Sequence, residues 1–223
     1  MRNTLHTFLE KNFQGLILRP ALFYSWKYSM RFEISNPSIP FSKKENLLQI
    51  INRTTTLFEK IFDDEDEILF VTDVHTSKNN PFLHKKPLNV YLKCVKQKEK
   101  LHKLQYSLLP SVFEDEAEEW ACVQDVTHRF LLQCKKNEIK YLQLLKAISY
   151  EDFAHPSTIL KNNPESGYDI YFINLTKKVI YHLYDDRGCD ILAADKEAIR
   201  FLYDEYNDWI LDYDREEIDV LFN

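Results

Sequence analysis

Three apolar stretches, residues 170–175, 179–184 and 189–193, are joined by the short links Thr176-Lys177-Lys178 and Asp186-Arg187-Gly188. Such links constrain the fold more than any other feature of the chain. A return to a parallel neighbour needs about a dozen residues of crossover, whereas two or three suffice for an antiparallel hairpin. Residues 170–193 are therefore expected to form a contiguous antiparallel three-stranded unit.

The rest of the chain mixes helix with strand. Leu5, Phe8, Leu9 and Phe13 fall at helical spacing and Gly15 can end that helix, which is expected to lie as a lid on the core. Met30, Phe32 and Ile34 alternate with Arg31 and Glu33, the pattern of a half-buried strand. Ser42 with Glu45 reads as a capping box opening a long helix to about Phe62, with Leu47, Ile50, Ile51, Thr54, Leu57, Phe58 and Ile61 on one face. Residues 68–74 read as a strand apolar on both faces. Residues 88–95 and 101–109 read as two strands joined by a lysine-rich turn, and 120–133 as a strand pair after an acidic run at 114–119. Tyr141, Leu142, Leu144, Leu145 and Ile148 mark a short amphipathic helix ending near Phe153, before Pro156. Asp195 is expected to cap a long C-terminal helix carrying Ile199, Leu202, Tyr203, Tyr206, Ile210 and Tyr213 on one face. The fold class is α+β: a single domain over residues 1–223, with a mostly antiparallel sheet, one long helix after the first strand and another at the C-terminus. With three glycines and no linker-like tract, nothing divides the chain in two.

Several function classes recede on composition. Cys94, Cys122, Cys134 and Cys189 are scattered, with no pair at the spacing of zinc or redox motifs, so buried reduced thiols are expected. The first ten residues carry Arg2, His6 and Glu10 and lack a signal-peptide apolar run, and no stretch reaches membrane-spanning length. A cytoplasmic protein without a membrane partner follows. No cofactor or metal motif stands out.

The net charge of −6 is unevenly distributed, at −9 from Asp185 onward and +3 before it. An acidic end repels phosphate backbones and suits a basic protein partner; a solvated helix face gives the same count. Lys85, Lys86, Lys93, Lys96, Lys98, Lys100 and Lys103 form a basic segment with Tyr91 as its one aromatic. It is read as a solvated hairpin tip rather than a nucleic-acid interface, which needs stacking groups among the cations. His182 lies mid-strand near Asp185, Asp186 and Cys189. A structural histidine is the plainer reading, and a cysteine-histidine-aspartate site the sharper one.

The densest polar run is Tyr184-Asp185-Asp186-Arg187-Gly188, followed by Cys189 and Asp190. It could hold a cation or basic ligand, or could be a turn in which Gly188 takes a positive φ while Arg187 pairs with a carboxylate. With Tyr206-Asn207-Asp208-Trp209 and Asp212-Tyr213-Asp214-Arg215, this run resembles the bacterial proteins grouped as domain-of-unknown-function family 3885, most specifically over residues 169–222. Arg31-Phe32-Glu33-Ile34, residues 140–153 and the helix ending at Phe62 are similar too. The resemblance implies a bacterial cytoplasmic protein of one domain, with the hairpin and final helix as one unit, and carries over no activity, cofactor or catalytic residue.

The functional expectation is a non-enzymatic protein-binding module of immunity or antitoxin type. Its acidic surface would comprise Asp185, Asp186, Arg187 and Asp190 at the hairpin with Glu197, Asp204, Asp208 and Asp212 on the outer side of the last helix, around Phe201 as an aromatic anchor. The alternatives are an enzyme built on Asp185, Asp186, Arg187 and His182, and a nucleic-acid-associated protein using the lysines of residues 84–103.

Overall fold

The computed structural model describes residues 4–41, 43–80, 88–113, 125–150, 159–160 and 167–223. Ser42, Pro81, His84, Lys85, Lys86, the acidic run at 114–119, Trp120, Cys122, Phe153 and Pro156 lie outside the described residues.

The strands are β1 (Ser29–Glu33), β2 (Glu67–Ser77), β3 (Gln105–Pro110), β4 (Asp125–Lys135), β5 (Gly167–Asn174), β6 (Val179–Leu183) and β7 (Gly188–Ala193). They form one sheet in the order β1-β7-β6-β5-β2-β4-β3, with every pairing antiparallel. The two short links do join β5, β6 and β7 as adjacent antiparallel strands. The fold is α+β.

One face of the sheet carries Phe32, Phe70, Phe130, Phe172, Tyr181, Cys189 and Ile191, which pack against the helices α2 (Lys44–Ile61), α3 (Asn89–Cys94) and α4 (Tyr141–Ile148) and the C-terminal elements. Helix α2 is the long helix expected after the first strand, burying Ile50, Thr54, Leu57, Phe58 and Ile61 at helical spacing. Its N-cap is Lys43, which makes no side-chain capping bond. Asn46 instead secures the preceding loop, accepting from the Asn36 amide at 2.8 Å and donating to the carbonyls of Asn36 and Ile39. The other face is apolar at one end, where Leu69, Val71, Leu131, Ile173, Ile180 and Leu192 meet α1 (Thr4–Asn12) and the loop after it. Gly15 turns the chain out of α1 with φ +87°.

Four expectations are corrected. Residues 89–94 are helix, because Val90, Tyr91 and Cys94 at helical spacing all face the core. A 3-10 turn follows at Lys98–Lys103, so the described lysines of the segment, Lys93 to Lys103, do not crown a hairpin. The expected strand pair at 120–133 is one continuous strand, β4, over its described part. In β1, Arg31 is not solvated: the strand is buried on both faces up to Glu33.

The long C-terminal helix is in fact several short pieces. Asp195 does cap, accepting from the Glu197 amide, but it opens only a 3-10 turn, followed by α5 (Arg200–Tyr206), two further 3-10 turns (Asn207–Trp209 and Asp212–Asp214) and α6 (Arg215–Phe222). Between them Ile210 bridges Phe32, and the Leu211 amide donates to the Arg31 carbonyl at 3.0 Å. The guanidinium of Arg215 donates to the Asn207 and Ile210 carbonyls, each at 3.1 Å, to Asn207 Oδ1 at 2.9 Å and to Asp212 at 3.1 Å. Backbone acceptors that would continue a helix are thus taken by a side chain, and sheet pairing outweighs local propensity. The chain crosses the outer edge of β1 as it does so, closing an edge that would otherwise be free to pair.

Candidate functional site

The apolar face gives way toward one end of the sheet to a buried row of ionisable residues. Successive register partners place Arg31 (β1) opposite Asp190 (β7), Asp190 opposite His182 (β6), and His182 opposite Tyr171 (β5). Two residues along β5, Asp169 stands opposite Asp73 (β2), which stands opposite Arg129 (β4). Alternation along a strand puts these side chains on one face, so the row follows from the register alone.

Arg31 forks onto Asp190 through Nε (2.7 Å) and Nη2 (3.0 Å), and the Phe23 amide donates to the same carboxylate at 3.0 Å. The rings of Phe23, Tyr24 and Tyr184 surround the guanidinium, 4.7–5.6 Å from ring centre to Cζ. Nη1 reaches Asp214 at 3.5 Å, and the Tyr24 hydroxyl donates to Asp214 at 2.9 Å. Arg129 forks onto Asp73 at 2.7 and 2.6 Å and donates to the Leu18 carbonyl at 3.3 Å. Both arginines thereby hold the loop over the sheet as well as a strand beneath it.

Asp169 receives two imidazoles, His182 Nε2 at 2.9 Å and His75 Nε2 at 2.8 Å. Burial pushes its carboxyl pKa up, but the two ring donors outweigh that and hold it well below the usual carboxylate range. An ionised Asp169 makes both Nε2 atoms donors. In the neutral ring His75 Nδ1 then accepts from Thr127 at 3.1 Å, while His182 Nδ1 and the Tyr171 hydroxyl, both buried, have no partner among the described residues. No group of three or more His, Cys, Asp or Glu among the described residues is arranged to hold a metal ion.

A cavity of about 760 Å³ opens at the Arg31 end, lined by Glu33, Phe41, Asp169, Tyr184, Asp185 and Leu211 among others. Tyr184, in its wall, packs against Gly188. A Cβ there would lie 2.1 Å from the Tyr184 hydroxyl and 2.7 Å from the Phe32 carbonyl oxygen, so the glycine serves close approach. Its φ is not positive, contrary to expectation.

The expected partner-binding residues divide into two groups. Asp190 is fully buried under Arg31; Asp185 and Asp186 are buried, with Asp185 accepting from the Arg187 amide at 2.7 Å and from Arg187 Nε at 2.6 Å. Arg187 is exposed but committed to Asp185. Glu197, Asp204, Asp208 and Asp212 are exposed, with Glu197 paired to Arg200 and Asp212 to Arg215. Phe201 is half-buried and packs on the core, because the short α5 turns it inward; as an exposed anchor it is withdrawn. The exposed apolar side chains lie further on. Tyr213 is 85% and Val220 82% exposed, with Glu216 and Glu217 between them at i+3 and i+4.

The two alternative sites do not assemble as read. His182 bonds Asp169 rather than the hairpin acids, and Cys189 points to the opposite face, into the aromatic core. Tyr91 is fully buried, its hydroxyl shared between the Phe70 and Phe130 carbonyls, so it offers no surface for a base.

An antiparallel sheet with charge buried across one face and its own C-terminal segment folded over one edge defines an α+β protein of antiparallel type. The chain belongs to the family described as "Domain of unknown function (DUF3885)", whose sequence model matches residues 5–214. It is 32% identical over 217 residues to "Uncharacterized protein YnaE" of Bacillus subtilis (strain 168), covering 92% of this chain and 96% of that protein. No solved structure matches it. No helix among the described residues is long and apolar enough to cross a membrane.

Proposed function

We propose that the chain is a cytoplasmic, non-enzymatic protein-binding module that occludes a basic partner, in the manner of immunity and antitoxin proteins, through the outer face of its C-terminal segment. One observation carries this reading: Tyr213 and Val220, each more than four-fifths exposed, stand seven residues apart with Glu216 and Glu217 between them and Asp212 beside them. Apolar side chains ringed by carboxylates combine a desolvatable centre with a charged rim, the usual make-up of an interface hot spot. The surface is also held rigid, by the Arg215 bonds on one side and by Asp214 on the other, which lowers the entropy lost on docking.

The test is capture from host lysate with the wild-type chain and a Tyr213→Ala, Val220→Ser variant as parallel baits. A basic protein retained by the first in a salt-sensitive manner and lost by the second, at unchanged melting temperature, is the expected result. Equal capture by both, or none by either, overturns the reading.

A further inference from the structure

We infer that the cavity between β1, the β6–β7 turn and residue Leu211 is a receptor for a guanidinium group, filled by an arginine side chain that the basic partner presents. This rests on the binding reading above for its occupant, though the chemistry of the cavity stands apart from it.

Three features select a cation. First, Glu33 lines the cavity and forms no ion pair with any described residue. Its register partner on β7 is Gly188, so no side chain covers its carboxylate from that strand. Burial pushes the Glu33 pKa upward and nearby Asp212 adds to the rise, while Arg53 draws it back. Arg53 acts on the carboxylate through its charge alone: its guanidinium N–H goes to the Glu33 carbonyl at 2.6 Å, and it lies over the Trp209 ring, 5.1 Å from its centre. A half-buried carboxylate with no close ion pair or side-chain hydrogen bond among the described residues gains from a cation that reaches it.

Second, the arginines lining the cavity are already engaged. Arg31 is forked onto Asp190 and close to Asp214, and Arg187 is bound to Asp185. An anion would have to break these bonds, and Asp169 adds a further carboxylate to the wall. Third, apart from Ser35 the remaining walls are apolar or aromatic: Pro20, Ala21, Pro37, Phe41, Tyr184 and Leu211. A planar guanidinium can stack on such rings while forking onto a carboxylate, which an ammonium does less well. Arg31 shows that geometry within the same chain.

Position links the cavity to the outer surface. Leu211 is in its wall and the next residue, Asp212, belongs to the acidic face with Tyr213. A partner seated on Tyr213 and Val220 would have the cavity mouth beside it.

The experiment titrates the full chain with Nα-acetyl-arginine amide, followed by amide NMR shifts, with the uncharged citrulline analogue as control. The expected result is a saturable shift at Glu33, Tyr184 and Leu211 with the arginine probe, no shift with citrulline, and at least tenfold weaker binding to Glu33→Gln. Shifts confined to residues 212–220, an unaffected Glu33→Gln variant, or an equal response to citrulline would overturn it. If the probe binds the cavity and lysate capture yields no partner, the receptor stands and the module reading falls. If a partner is captured through Tyr213 and Glu33→Gln captures it equally well, the receptor assignment falls alone.

Discussion

Arg31 and Asp190 face each other across β1 and β7, joined by two bonds of 2.7 and 3.0 Å, with the carboxylate fully buried. Arg31→Ala would leave that carboxylate in the interior without its counter-ion, a loss of roughly 3–5 kcal/mol for broken buried pairs. Urea denaturation should show it. Because Asp214 shares the guanidinium, the loss should also loosen Tyr24 and the start of α6, visible as faster amide exchange there.

Asp169 sets a pH dependence of definite sign. Its carboxyl titrates lower when folded than when unfolded, so its stabilisation is complete above the unfolded value, about 3.9, and is lost as pH falls through the folded one. Asp169→Asn should therefore be less stable than the wild type at pH 7, with a difference that shrinks steadily below pH ~4. A difference that stays constant between neutral pH and pH ~3 would contradict the two-histidine assignment.

Gly188→Ala should cost about 1–3 kcal/mol, the range for overpacking, because the Phe32 carbonyl is backbone and cannot swing aside. Gly15 is the contrasting case. There a Cβ meets open space and the penalty is the positive φ alone, on the order of 1 kcal/mol. Thermal melts of the two alanine variants should rank Gly188→Ala lower.

Phe201 and Tyr213 should behave oppositely. Phe201→Ser removes a ring packed on the core and should lower stability by roughly 1–3 kcal/mol, whereas Tyr213→Ser should stay within about 0.5 kcal/mol of wild type. Equal effects would mean that the outer face is misassigned.

The thiols of Cys94, Cys134 and Cys189 are buried and unpaired, and burial pushes those of Cys94 and Cys134 up to about 12. In a Cys122→Ser background the native protein should react with a thiol reagent only at the rate of unfolding, and release all three in urea.

Much of the fold was legible because it is written in local spacing. The links after Leu175 and Tyr184 forced antiparallel neighbours, and the repeat of Ile50, Thr54, Leu57 and Ile61 marked α2. The buried row was not legible, since each member finds its partner through strand order. Arg31 looked solvated because alternation reports which side a residue faces, not what covers that side. Asp73, Asp169 and Asp190, acids in the middle of strands, were the available signal. In the C-terminal segment, Tyr203, Tyr206 and Ile210 fit a helical period, yet Arg215 and the edge of β1 captured the backbone groups a continuous helix would have used.

Arg31 and Asp190 are 159 residues apart, and the segment that covers β1 lies beyond both. During synthesis, β1 emerges well before β7 and must wait in water for its partner. Its arginine is hydrated throughout that delay, which keeps an otherwise sticky strand from premature pairing. Completion of the sheet thus waits on the synthesis of β7, and a ribosome stalled before β7 would hold a chain whose first strand has nowhere to go.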